Sequence, residues 1–178
     1  METTLHIAFT WLHILGIALW VGPQVMLAVA WPAASRQVTD LPQRVAAMRV
    51  MTRRFGYLGG AGLALIVIAG TYLISTWREY YAIPEDADFL SLRFGFWFVV
   101  KMTLFLLMLA VVGLHIAWAG PRQLRAYEAK ARGEGDDEEL RAARRLSLAL
   151  SISGLALSLA IMVMGTMIGT SGWSLQER

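Results

Sequence analysis

Three histidines, one lysine and a scatter of methionines are the residues of this chain whose type and setting point to chemistry. His6 and His13 lie about two helical turns apart in a stretch, 5–31, that carries no charged residue. His115 lies in a second apolar stretch, 94–119, whose only formal charge is Lys101. An imidazole in such surroundings serves as a heme ligand, a proton relay or a step in metal passage. An ammonium there is costly unless it is paired, hydrated or snorkelling to the headgroups, which makes Lys101 a functional candidate by default. The chain has no cysteine, so disulfides, iron–sulfur clusters, thiolate metal sites and cysteine nucleophiles are excluded.

The elements that position these residues follow from composition. The chain has 178 residues, 57% hydrophobic and 16% charged, against about 45–50% and about 25% for a soluble domain. A disordered chain, a collagen-like chain and an ordinary soluble enzyme are set aside on that ground. Four runs, 5–31, 57–76, 94–119 and 146–173, reach the length of about 20 apolar residues that crosses the hydrocarbon as a helix. The expected fold is all-α: an integral membrane bundle of four transmembrane helices forming one domain over 1–178. The first run lacks a basic flank and a small-residue cleavage site, so it reads as a retained helix rather than a signal peptide. Pro23 is expected to kink it, and the Trp31–Pro32 pair to end it.

Basic residues give the orientation. The first loop holds Arg36, Arg44, Arg49, Arg53 and Arg54, and the third holds Arg122, Arg125, Lys130, Arg132, Arg141, Arg144 and Arg145. The second loop has only Arg78 and Arg93, and the C-terminus only Arg178. Loops one and three are therefore expected in the cytoplasm, with both termini and loop two outside, on the periplasmic face of a bacterial inner membrane. The acidic run 134–139 reads as a solvated turn rather than a metal site.

Each span has a polar face. His6, Thr10, His13, Ile17, Trp20 and Gln24 share one stripe of the first helix, and Trp97, Lys101, Phe105, Met108, Val112 and His115 one stripe of the third. The fourth shows small residues at Ser147, Ser151, Gly154, Ser158, Gly165 and Gly169, with Met162 filling the gap. The second offers Gly59, Gly62, Ala69 and Gly70. Such residues allow close helix approach or leave room for a flat ligand. By helical rise, His13, Lys101 and Met162 share a level, whereas His115 lies roughly 15–20 Å away from His13 along the normal.

These residues also carry a family resemblance. Leu12-His13 followed by Trp20 and Gly22, then Val50-Met51-Thr52-Arg53-Arg54, then Trp97 with Lys101, resemble in order the motifs of the small four-helix membrane proteins of the CopD and HemJ type. Leu114-His115 with Gly120-Pro121-Arg122 looks more like the CopD relatives, and helix four lacks the Asn-Glu-x-Pro-Thr type of stretch usual in HemJ proteins. HemJ proteins are regarded as heme b-containing oxidases of protoporphyrinogen IX, with a functional first-helix histidine and third-helix lysine. The resemblance places those roles on His13, as axial and metal ligand, and on Lys101, as the catalytic candidate. CopD proteins are associated with copper passage and a periplasmic copper-binding partner.

Three expectations follow. The first is a heme b redox protein. Its iron sits on His13, its second ligand is Met162, His6 or nothing, and its propionates meet Lys101 with Arg93 or Arg78. Electrons pass to a quinone or another carrier, or come from a porphyrinogen, and His115 is a further cofactor-binding candidate. The second is copper transport along His6, His13, Met102, Met108, Met162, Met164 and Met167. The third is a structural or assembly subunit, in a homo-oligomer or a larger membrane complex.

Overall fold

The structure, a computed structural model, describes residues 2–177. Among them the long elements are helices, and the only β-pairing is an isolated antiparallel bridge between Leu92 and Glu177. Helix α1 spans Glu2–Gln37 and α2 spans Leu41–Ser75. A short α3, Trp77–Tyr80, precedes a loop to α4, Arg93–Leu114. A π-helical turn over His115–Ala119 leads without a break into α5, Gly120–Ala131. Helix α6, Asp137–Gly169, and a short α7, Ser171–Ser174, complete the chain. The four long stretches, with α4 to α5 counted as one, are each long and apolar enough to cross a membrane.

The helices outrun the apolar runs that announce them. Helix α2 begins at Leu41 rather than 57, and α6 at Asp137 rather than 146. The length of an apolar run does not limit the helix that carries it, and the arginine-bearing turns extend each helix without breaking its hydrogen-bond ladder. Asp40 caps α2 by accepting from the Gln43 N–H at 3.3 Å, with Pro42 in the first turn where its missing N–H costs nothing. Asp136 caps α6 by accepting from the Glu138 N–H at 3.1 Å. The acidic run is thus a helix start, its carboxylates complementing the positive end of the α6 dipole. Lys130, 2.8 Å from Asp137, holds that carboxyl below its usual range. Gly133, at φ +78°, makes the left-handed turn that ends α5.

One expectation is corrected here. The Trp31–Pro32 pair does not end α1, which runs on to Gln37. Proline removes one donor but keeps a helical φ, and the following turn still closes. Ser35 Oγ donates to the Pro32 carbonyl at 3.2 Å. Beside Pro23, the Gln24 side-chain amide donates to the Trp20 carbonyl at 3.1 Å.

Two antiparallel hairpins, α1–α2 and α4–α6, make the bundle. The first closes through a crossing so tight that a β-carbon on Gly16 would stand 2.8 Å from the Gly62 carbonyl oxygen, and one on Gly62 2.8 Å from that of Gly16. The hairpins meet each other less closely. Helix α1 touches α6 and α2 touches α5, but among the described residues no Cα of α1 or α2 comes within 8 Å of α4. Side chains fill the middle of the bundle: Trp20, Val21 and Met108 form a buried cluster with Phe105, Val112, Leu155 and Ile161 around it. A second cluster, Trp77, Leu92, Phe94 and Ile168, closes the end that carries α3 and α7. Elsewhere large apolar side chains point outward, among them Ile7 at 62%, Trp11 at 60% and Ile14 at 59% exposure. A water-soluble surface does not carry apolar stretches of that extent.

Candidate functional site

His13 lies on the inward stripe of α1, just before the glycine crossing. Its Nδ1 is 3.1 Å from the main-chain oxygen of Ile66 on α2. A carbonyl only accepts, so Nδ1 is the donor, and the neutral ring keeps its lone pair on Nε2. The ring reaches that carbonyl because the residue one turn further along α2 is Gly70: a β-carbon there would stand 3.2 Å from His13 Cε1 and 3.4 Å from Nδ1. Metal-ligating histidines are held in this manner, with one nitrogen donating to a carbonyl and the other free.

From the opposite hairpin, Lys101 enters the same level. It lies about 12 Å along α4 from Arg93. Its ammonium stands against α6, where a β-carbon on Gly165 would be 3.9 Å from Nζ. Among the described residues no carboxylate pairs with Lys101. On one side of this level, Trp20 and Met108 close the interior, 6% and 2% exposed. The Trp20 indole N–H donates to Ser158 Oγ at 3.1 Å, and that hydroxyl donates to the Gly154 carbonyl at 2.9 Å. On the other side, Trp97 packs against the aromatic cluster of α3, α4 and the intervening loop.

The remaining candidates are placed elsewhere. His6 stacks face to face on Tyr80 of α3, ring centres 3.4 Å apart and planes within 2°. It is a rim residue, about 10 Å along α1 from His13. Neighbouring Tyr81 has its phenol pushed up by burial and by Tyr80. His115 sits on the π-helical turn, with its buried Nδ1 lacking a hydrogen-bond partner. It is about 21 Å along the helix from Lys101, so it does not join His13. Arg93 donates to Gln176 Oε1 at 2.9 Å and lies over the Trp173 ring, tying down the C-terminal segment. Arg78 donates to the carbonyls of Pro84, Glu85 and Ala87 and so organises the second loop.

Helix α6 turns a different seam inward from the one its small residues outline. Buried or half-buried positions run Ser147, Leu150, Gly154, Ser158, Ile161, Gly165, Ile168. Ser151, Met162 and Gly169 lie beside this seam, Met162 being 38% exposed. Small and large residues are mixed along it, because the neighbouring helix surface has both ridges and hollows to fill. Selecting small residues alone therefore tracks one position off at every large one. Sequence reasoning also missed Gly16, whose partner Gly62 is far away in the chain. It missed the Ile66 carbonyl as well, since no side chain signals it.

Among the described residues no three His, Asp or Glu side chains converge as a metal cluster, so His13 stands as a single imidazole. The two cavities described lie at the arginine-rich end of the bundle, one of them lined by Trp31, Arg44 and Tyr127 and the other by α5 and α6. No protein-family model, curated protein or solved structure matches the chain.

Proposed function

We propose that this chain is a multi-pass protein of a bacterial inner membrane that holds heme b through His13 and serves redox chemistry. Four long apolar helices with outward-facing apolar side chains support the membrane reading. The arginine-rich ends of the helices then face the cytoplasm, and the termini and the α3 loop face outward. The single observation that carries the heme reading is the His13 Nδ1 to Ile66 carbonyl hydrogen bond, which orients the ring and leaves Nε2 for iron.

The residues around it fit such a group. Gly165 keeps the α6 wall low beside Lys101, and Lys101 offers an unpaired ammonium for a propionate. The separation of α4 from the first hairpin leaves helix backbones apart at this level. When bound, the heme supplies a one-electron iron couple. The chain's own part is to ligate through His13, to neutralise carboxylate charge through Lys101, and to exclude water with Trp20, Met108 and the aromatic cap. A quinone, a porphyrinogen or another carrier is the electron partner, and Lys101 is the residue that would meet a porphyrinogen carboxylate. The copper reading has less support, because Met102 and Met162 are 37% and 38% exposed while Met108 is 2% exposed, so the methionines form no line.

The test is a visible spectrum of the purified protein after heme-supplemented expression, oxidised and reduced. The reading expects a Soret band that His13→Ala removes and His115→Ala leaves largely in place. A protein without a Soret band, or one whose band survives His13→Ala, overturns it.

A further inference from the structure

The arginine-rich end of the bundle holds a second feature that the redox reading does not use. A cleft of about 450 Å³ lies between α5 and the start of α6, lined by Arg122, Arg125 and Arg132 with Glu128 and Glu139. Ala126 and Ala129 also line it, without side chains long enough to fill it. The charges are not balanced from within. Glu128 is committed to Arg49, and Arg132 to Glu134 at 2.8 Å. Arg122 and Arg125 have no carboxylate partner among the described residues.

Its position is the second observation. The cleft begins one turn beyond Trp118, which is 45% exposed and lies under the Arg122 guanidinium, 5.9 Å from ring centre to Cζ. Just below, Leu114 and Ile116 are 48% and 61% exposed. An exposed tryptophan between apolar side chains and arginines marks the height of the headgroups. A ligand that is anionic at one end and apolar at the other matches this sequence of surfaces. Guanidinium forks match phosphate geometry, and the apolar residues match acyl chains.

We infer that the α5–α6 cleft, through Arg122 and Arg125, binds the phosphate of an anionic phospholipid, with Trp118 and Leu114 against its acyl chains. The inference rests on the membrane reading above and not on heme. The experiment uses the full chain, purified in a zwitterionic detergent and titrated with phosphatidylglycerol, phosphatidylcholine or inorganic phosphate, with bound ligand counted by native mass spectrometry. Phosphatidylglycerol is expected to be retained in preference to phosphatidylcholine. Arg122→Gln with Arg125→Gln is expected to weaken it about thirtyfold, while Arg122→Lys with Arg125→Lys keeps part of the binding. Unchanged helicity by circular dichroism shows that the variants fold. Equal retention of the two lipids, unaltered binding by the double glutamine variant, or inorganic phosphate binding as tightly as the lipid overturns the inference. A chain that extracts from cells without detergent overturns the membrane reading itself, an outcome separate from the other three.

Discussion

His13 and Ile66 are joined across the α1–α2 crossing by a 3.1 Å contact between an imidazole nitrogen and a main-chain oxygen. No substitution can remove that oxygen, but its access can be closed. A methyl group at residue 70 would press on His13 at 3.2 Å, so Gly70→Ala forces the ring to shift by a few tenths of an ångström. Outer-shell changes of this kind cost 10–100-fold in metal affinity. With heme on His13 as proposed, Gly70→Ala is therefore expected to lower heme occupancy by about tenfold and to alter the spin state in the visible spectrum. Gly60→Ala, where an added methyl meets nothing within 4 Å, is the matched control on the same helix and leaves both unchanged.

Lys101 provides an independent test, because its proposed partner is a carboxylate rather than iron. Lys101→Gln keeps a donor but not the charge, and a hydrogen bond to a charged group is worth about 1.5–3 kcal/mol. Heme retention is expected to fall about tenfold or more in Lys101→Gln and to recover in part in Lys101→Arg. The iron-ligand spectrum of whatever heme remains should stay that of the parent. A spectrum changed in kind rather than in amount would mean that Lys101 acts on the iron side.

What the sequence makes legible here is set by the range of each interaction. The four long helices are readable because their apolar runs are local and hydrocarbon length is fixed. The inward stripes of α1 and α4 are readable because polar groups such as His13, Gln24 and Lys101 are few and shun lipid. The α6 seam is not, because Leu150, Ile161 and Ile168 look the same to a periodicity argument as their lipid-facing neighbours. The partners of His13 were equally hidden: a carbonyl has no residue type, and the glycine that exposes it resembles every other glycine of α2. Arg93 and Arg78 could be placed at the right end of the bundle, but their engagement with Gln176 and with the loop carbonyls depends on folds of the chain that no local pattern encodes.

The Gly16–Gly62 crossing should govern the first hairpin's stability. In lipid, helices associate by close packing rather than by hydrophobic burial. Either glycine enlarged to leucine would drive carbon into backbone atoms 2.8–3.0 Å away, which cannot swing aside as a side chain can. Overpacking of this kind costs about 1–3 kcal/mol. Gly16→Leu is expected to lower the unfolding midpoint in detergent and to displace His13, losing heme together with stability. Gly22→Leu, on the same helix but with open space at its β-position, should do neither. Thermal unfolding followed by circular dichroism, with Soret absorbance read in parallel, checks both halves.

The Trp20–Ser158 hydrogen bond is a buried polar tie between the hairpin that carries His13 and the one that carries Lys101. Both partners are buried, at 6% and 3% exposure, so a broken bond is not replaced by water. Interhelical hydrogen bonds of this kind average about 0.6 kcal/mol and reach about 1.7. Trp20→Phe keeps most of the ring and removes the donor; Ser158→Ala removes the acceptor. Each alone is expected to destabilise the chain by about 1 kcal/mol. The double variant should cost less than the sum, because the second change breaks nothing that the first has left intact. If the tie also sets the spacing of the two hairpins, Trp20→Phe shifts the heme reduction potential or spin state while occupancy stays high. A cycle that closes with no coupling energy would show that the contact contributes nothing to joining the two hairpins, which are then held by apolar packing around Met108 and by the Arg49–Glu128 pair.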